Sequence, residues 1–324
     1  MQNLRASSEE TGWISAGTTR NEAGVSPRAG AIAADPLSRM KILETIDSTR
    51  AATRAARRQG QRVGLVPTMG ALHEGHMSLV RAAKEQSDYV AVSLFVNPLQ
   101  FGANEDLAKY PRTLERDLDL LKQAGVDLLF APSEAEMYPN RGATFVTVEG
   151  LSERLDGQSR PRHFRGVTTV VSKLFHILEP DRAFFGQKDA AQVAIIRRMA
   201  RDLNLPVEIV VCPIVREPDG LAMSSRNAYL NPDERKRALV LSRSLRRVEE
   251  LFGQGERDAA KLEVAGRRVV VEEPAVRLDY LAIVDPDSLE PVNPAALGAL
   301  VAVAAYVGTT RLIDNHVLGA SNTP

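Results

Sequence analysis

The chain has 324 residues, 44% of them hydrophobic, and its 41 basic side chains are balanced by 41 acidic ones. That length can bury a sizeable core and suggests two domains. The zero net charge gives no overall bias toward nucleic acid or an anionic membrane surface. The single cysteine, Cys212, rules out an internal disulfide or a zinc site of several thiolates. Its place in the apolar run Val210–Ile214 reads as a small buried hydrophobe. No apolar run approaches the ~20 residues that span a bilayer. No charged-then-apolar signal pattern opens the chain, and the cytoplasm is the expected compartment.

Residues 1–39 are rich in Ser, Ala, Gly, Thr and charge and carry no sustained period, so a disordered or non-core extension is expected. Its acids, Glu9, Glu10, Glu22 and Asp35, argue against a transit peptide. The first structured segment opens at Met40. Val63–Val66 reads as a short buried strand, and residues 76–87 as a helix with Met77, Leu79, Val80 and Ala83 on one face. Tyr89–Val96 is a second strand, 112–124 an amphipathic helix closed by Gly125, and Asp127–Phe130 a third strand. Val167, Val170, Val171, Leu174, Ile177 and Leu178 mark a helix that ends before Pro180. On its face, His176 reads as a core residue rather than a ligand. Arg182–Phe185 is a strand, Asp189–Leu203 a helix and Val207–Val211 a strand.

This alternation implies an α/β fold, a parallel sheet covered by helices on both faces, with ligands beyond the carboxyl ends of its strands. The pattern changes between about residues 211 and 231. Asn231 caps a helix with Pro232 at its first position, and this helix runs to about Phe252. A second helix lies near 256–272, and Leu278–Val284 and Leu300–Val307 read as strands, giving a smaller α+β domain.

Neither a P-loop, a Gly-x-Gly-x-x-Gly fingerprint nor a His-Glu-x-x-His motif occurs. An α/β protein that handles phosphate would have to do it by other means, and several segments offer them. His73-Glu74-Gly75-His76 sits where a strand turns into a helix, so two imidazoles share that turn with the helix's free N–H groups. Gly186-Gln187-Lys188-Asp189 places a lysine at a second strand-to-helix turn, with Gln192 one turn on. Met223-Ser224-Ser225-Arg226 sets two hydroxyls beside a guanidinium. Gln100, after Phe95-Val96-Asn97-Pro98-Leu99, stands where substrate would lie. The basic run Arg160-Pro161-Arg162-His163-Phe164-Arg165-Gly166 could hold an anion or be a solvated turn.

Taken in order, these segments, with Pro67-Thr68-Met69-Gly70 and Tyr110-Pro111-Arg112, resemble the pantothenate synthetase (pantoate–β-alanine ligase) family. This family lies within the nucleotidylyltransferase superfamily that carries a His-x-Gly-His turn. The resemblance covers about residues 40–318. It implies a Rossmann-like domain over 40–213 and a smaller C-terminal lid over 214–324. It also implies ligation of pantoate to β-alanine through a pantoyl-adenylate, with release of AMP and pyrophosphate. ATP, with Mg²⁺, would be a substrate; no tightly bound organic cofactor is expected, and the chain would be a homodimer that binds neither nucleic acid nor membrane.

Met69, Gly70, Ala71, Leu72, His73, Glu74, Gly75, His76, Gly186, Gln187, Lys188, Asp189, Val215, Met223, Ser224, Ser225 and Arg226 would hold ATP. Gln100 and Gln192 would hold pantoate. Catalysis would fall to His73, His76, Lys188, Ser224, Ser225 and Arg226, with His76 the proton donor to the leaving group. The family usually has an acid at Gln187 and a larger residue at Ala190, and some relatives have consecutive acids at Arg116-Asp117; the metal ligands stay unassigned. Two alternatives remain: another nucleotidylyltransferase of the superfamily, or a non-catalytic nucleotide-binding protein.

Overall fold

The computed structural model describes residues 40–102 and 105–320; the expected extension over 1–39 lies outside them. Six parallel strands form the first sheet: β1 (Lys41–Leu43), β2 (Val63–Thr68), β3 (Tyr89–Leu94), β4 (Leu128–Phe130), β5 (Arg182–Gly186) and β6 (Glu208–Cys212). Their order is β1-β4-β3-β2-β5-β6. Between them run α1 (Ile46–Arg58), α2 (Glu74–Gln86), α3 (Leu114–Gln123), α4 (Glu134–Met137), α5 (Asp156–Ser159), α6 (His163–Leu178) and α7 (Ala190–Asp202).

Successive strand residues point to opposite faces, and here they enter different cores. Leu65, Ala91, Leu128, Phe130, Ala183 and Phe185 join α6 and α7 on one face. Val66, Val90, Val92, Leu129 and Phe184 join Met77, Leu79, Val80 and Ala83 of α2 and Leu121 of α3 on the other. Burial on both faces explains why these strands are continuous apolar runs in the sequence.

The remaining elements are α8 (Pro232–Ala238), α9 (Val240–Gly253), α10 (Ala259–Val271), β7 (Val276–Val284), β8 (Leu300–Val307) and β9 (Thr310–Val317). The three strands form an antiparallel sheet in the order β7-β8-β9. Leu281, Ile283, Val301, Val303 and Ala305 pack against Leu241, Leu245 and Val248 of α9 and Leu262 of α10. Val284, Leu300 and Ala302 face the opposite way, into the core shared with α6 and α7.

The α/β class, the parallel sheet and the smaller α+β element agree with the sequence expectation, but local details differ. Helix α1 is absent from the sequence reading because its buried face is Thr49, Thr53 and Ala56 rather than an apolar stripe. Strand β9 escapes detection because Asp314, Asn315 and His316 are buried polar residues within it. The helix expected from Asn231 to Phe252 is two helices parted at Leu239. Its start is as expected: the Asn231 side chain accepts from the Asp233 and Glu234 N–H groups at 3.0 and 2.9 Å, and the Glu234 carboxylate accepts from Asn231 N at 2.9 Å. His176 is not a core residue; it lies exposed on α6, its Nδ1 2.7 Å from Ser172 O.

Candidate active site

The chain leaves β2 toward β3 but leaves β5 toward β6, although β2 and β5 are neighbours. This reversal makes the gap beyond their carboxyl ends a topological switch point, where open α/β sheets bind ligands. The turns after β2 and β5 meet there, joined by the segments after β3 and β6. They enclose a cavity of about 220 Å³. Of the residues expected from sequence, Met69, His73, Gly75, His76, Gln100, Gly186, Lys188, Asp189, Gln192, Val215, Met223, Ser224, Ser225 and Arg226 line it. Gly70, Ala71, Leu72, Glu74 and Gln187 are not in the wall.

The two imidazoles are built into the start of α2. His73 is its N-cap: its Nδ1 accepts from Gly75 N–H at 3.1 Å, while His76 Nδ1 accepts from His73 N–H at 3.3 Å. The helix therefore begins at Glu74, two residues earlier than the apolar periodicity suggests. The rings lie 4.0 Å apart between centroids. Gly75 is required beneath them, since a Cβ there would sit 2.9 Å from the His73 ring. Burial, reinforced by the Lys188 charge, pushes His73 down to about 4; burial, then the neighbouring His73 and Lys188, pushes His76 down to about 3. Both rings are neutral near pH 7. With each Nδ1 accepting a hydrogen bond, each proton resides on Nε2. The pair is thus fixed as two neutral Nε2–H donors.

Gly70, Ala71 and Leu72 shape this turn from behind. Ala71 has a left-handed φ of 52°, an unfavourable backbone state for a residue with a Cβ. Asp117 holds it there, accepting from Ala71 N at 2.8 Å, Leu72 N at 2.9 Å and Thr113 Oγ1 at 3.0 Å. Asp117 is 1% exposed and both its oxygens are occupied, so its observed role is to brace the loop. Glu74 points away and pairs with Arg81.

The opposite end of the cavity is set by Asn97. Its Nδ2 donates to Gln100 Oε1 at 3.1 Å and Gly166 O at 3.0 Å, and its Oδ1 accepts from Tyr138 OH at 2.8 Å. Gln100 Nε2 rests 3.0 Å from the Met69 sulfur. Gly166 lets α6 press on this turn: a Cβ would lie 2.3 Å from Leu99 O. Arg160 pairs with Glu105 at 2.5 Å and lies 3.0 Å from His163 Nε2. Because arginine can only donate, His163 Nε2 accepts, and its Nδ1–H donates to Gln100 O at 2.8 Å. Burial, then the Arg160 charge, pushes His163 down to about 4. The basic run is therefore neither a bare solvated turn nor simply a free anion site: Arg160 and His163 brace the backbone of Gln100.

Lys188 reaches the cavity, and among the described residues its ion partner is Asp189, at 3.5 Å. Ser225 Oγ donates to Ala71 O at 3.2 Å, stitching the Met223–Arg226 segment to the histidine turn. Arg226 makes a two-pronged pair with Asp106, both contacts 3.1 Å. Gln187 turns from the cavity and donates to Asn315 Oδ1 at 3.1 Å, while Ala190 packs into the α6–α7 core.

Several wall residues were missed as site residues. Val167, Val170, Val171 and Leu174 gave only a helical period, yet they form an apolar side of the cavity. Asp106, Asp117, Asp314 and Asn315 act from elements far away in the chain, and no spacing rule points to them.

Comparison with known proteins agrees with this geometry. The model of the pantoate-beta-alanine ligase family matches residues 41–317. A pantothenate synthetase of Koribacter versatilis is 61% identical over 282 residues, 87% of this chain and 97% of that protein. The crystal structure of pantothenate synthetase from Thermus thermophilus superposes with a TM-score of 0.82 at 49% identity, covering 86% of this chain and 99% of that one. The pantoate-beta-alanine ligase of Francisella tularensis, solved in complex with beta-gamma ATP and beta-alanine, superposes with a TM-score of 0.70 at 34% identity, covering 86% and 97%. The family match over residues 41–317, with a relative 61% identical over 87% of the chain, places this chain in the pantoate–β-alanine ligase family.

Proposed function

We propose that the cleft ligates pantoate to β-alanine at the expense of ATP, through a pantoyl-adenylate. One observation carries this reading: three segments distant in the chain, around His73–His76, Gly186–Asp189 and Met223–Arg226, line one cavity that also contains Gln100 and Gln192. In this reading the pantoate carboxylate attacks the α-phosphorus, a P–O bond forms, and the bond to the bridging oxygen breaks as pyrophosphate leaves. The β-alanine amine then attacks the acyl carbon, the amide forms, and AMP departs with the C–O bond's electron pair. No covalent enzyme intermediate is needed.

The chain's groups act by position and charge. The paired Nε2–H groups of His73 and His76, Lys188, and the hydroxyls of Ser224 and Ser225 converge on the triphosphate. His76 is a neutral Nε2–H donor in this geometry, and its hydrogen bond would stabilise the negative charge that develops on the leaving group. Arg226 joins them by exchanging Asp106 for phosphate oxygens. Gln100 and Gln192 orient pantoate, whose methyl groups suit the Val167, Val170, Val171 and Leu174 wall. The residues over 214–324 act as the lid that keeps water from the adenylate.

Mg²⁺ would be held chiefly through phosphate oxygens and one or two carboxylates. Among the described residues no cluster of three ligating side chains occurs, and Asp189 is the carboxylate in the cavity wall. The ion would neutralise phosphate charge as the bond breaks. A homodimer in the cytoplasm belongs to the same proposal; among the described residues no helix is long and apolar enough to cross a membrane.

The test is pantoate-dependent exchange of labelled pyrophosphate into ATP, followed by amide formation when β-alanine is added. Exchange without pantoate, or a stable nucleotide adduct with no demand for an amine, would favour another nucleotidylyltransferase. ATP binding without any exchange would leave a non-catalytic nucleotide-binding protein.

A further inference from the structure

Two adjacent residues of β9 reach from the antiparallel sheet to the segments that carry the wall of the cleft. Asn315 is 3% exposed, and its amide is used at both ends. Nδ2 donates to the carbonyl oxygens of Gln187 and Lys188, both at 2.9 Å, and Oδ1 accepts from Gln187 Nε2 at 3.1 Å. The reversed amide would set its oxygen against two carbonyl oxygens, so the network admits one orientation. Asp314, also 3% exposed, accepts from both terminal nitrogens of Arg216 at 2.7 and 3.0 Å, and Arg216 donates onward to Gly220 O at 3.1 Å. One strand thereby grips both the Lys188 turn and the loop leading to Met223–Arg226.

Lys188 needs such support. Its ammonium sits at the end of a four-carbon stem and, among the described residues, has one carboxylate partner, Asp189, at 3.5 Å. A flexible point charge aids transfer only where its backbone root is fixed. We propose that Asn315 is a positioning residue for adenylate formation: it clamps the Gln187 and Lys188 carbonyls and so sets the Lys188 ammonium against the two imidazoles. Asp314, through Arg216, keeps the Ser224–Arg226 groups in register with it. The proposal deepens, and rests on, the reading of the cleft as a triphosphate site.

The experiment uses the purified full-length protein and measures pantothenate synthesis from ATP, pantoate and β-alanine. No wild-type turnover at all would overturn the reading of the cleft and this proposal with it. With turnover established, Asn315→Ala is expected to lower kcat/KM for ATP about tenfold while KM for pantoate changes less than about twofold. In a Lys188→Ala background the same substitution is expected to cost no further turnover, although it lowers the melting temperature in both backgrounds. Equal factors in the two backgrounds would assign Asn315 to packing alone and overturn the proposal, as would unchanged kcat/KM in a stably folded Asn315→Ala protein. If that variant does not fold, Gln187→Ala removes only the bond to Asn315 Oδ1. It is expected to give about a threefold loss that disappears in the Lys188→Ala background, and an undiminished loss there would overturn the clamp.

Discussion

The two sheets of this molecule use burial in different ways. The parallel sheet buries apolar residues on both faces and leaves its chemistry to the turns beyond its strand ends, where backbone groups are free and imidazoles can cap a helix. The antiparallel sheet holds polar residues inside a strand: Asp314, Asn315 and His316 are 3%, 3% and 5% exposed. Each is satisfied by a partner on another element, Arg216, the Gln187–Lys188 turn and Glu249 respectively. A buried polar group is costly unless it is paired, and these bonds tie β9 to the turn after β5, to the loop after β6 and to α9. In the proposed reading one sheet supplies the reacting groups and the other holds the backbone of Lys188 still.

Substitutions in the two regions are expected to separate turnover from stability. His76→Ala, in the turn after β2, is expected to cut turnover by at least ~100-fold with the fold intact, the low end for a charge-stabilising or proton-transferring group; near-normal kcat would remove His76 from the mechanism. Gly166→Ala drives a Cβ into the Leu99 backbone, and a loss of about 1–3 kcal/mol is expected from overpacking, together with weaker pantoate binding. Urea unfolding and the pantoate KM report the two effects, and a stable variant with normal KM would show that α6 does not set the Gln100 turn. Val303→Ala, in the core of the antiparallel sheet, is expected to cost roughly 2 kcal/mol of stability from lost burial and a cavity while kcat of the folded protein is unchanged. A matching fall in kcat would mean that packing behind β8, and not only the polar grip of β9, reaches the cleft.

A last prediction concerns pH. His73, His76 and His163 are held at about 4, 3 and 4, below the ordinary imidazole value of 6.5. Below pH 6.5 the unfolded chain binds protons that the native site refuses, so native stability falls as the pH drops from there toward 4 and is unaffected at higher pH. Melting temperatures across that window are expected to decline, and to decline less steeply in His73→Asn/His76→Asn. An identical slope in that variant would place the acid sensitivity outside the cleft.

The elements with an apolar stripe or run were legible: β2, β3, β5, α6 and α7 lie within a residue or a few of their expected bounds. Where the buried face is Thr49, Thr53 and Ala56, or Asp314 to His316, hydrophobic periodicity has no signal to offer. The start of α2 was placed late because a histidine performs the cap that sequence rules assign to Ser, Thr, Asp or Asn. The three site segments were recognisable because each combines a turn with phosphate-binding chemistry at local spacing. Asp106, Asp117 and Asn315 were not, since each acts on a partner 45 or more residues away.

By itself, the sequence determined the α/β alternation, the family and the identity of the three segments that meet in the cleft, because periodicity and short motifs are properties of neighbouring residues. Only the tertiary structure decided which nitrogen of each histidine carries the proton, that Arg226 is paired with Asp106, and that a strand near the end of the chain grips the Lys188 turn. Those outcomes depend on which donor meets which acceptor across long stretches of chain, and that meeting exists only once both sheets have packed.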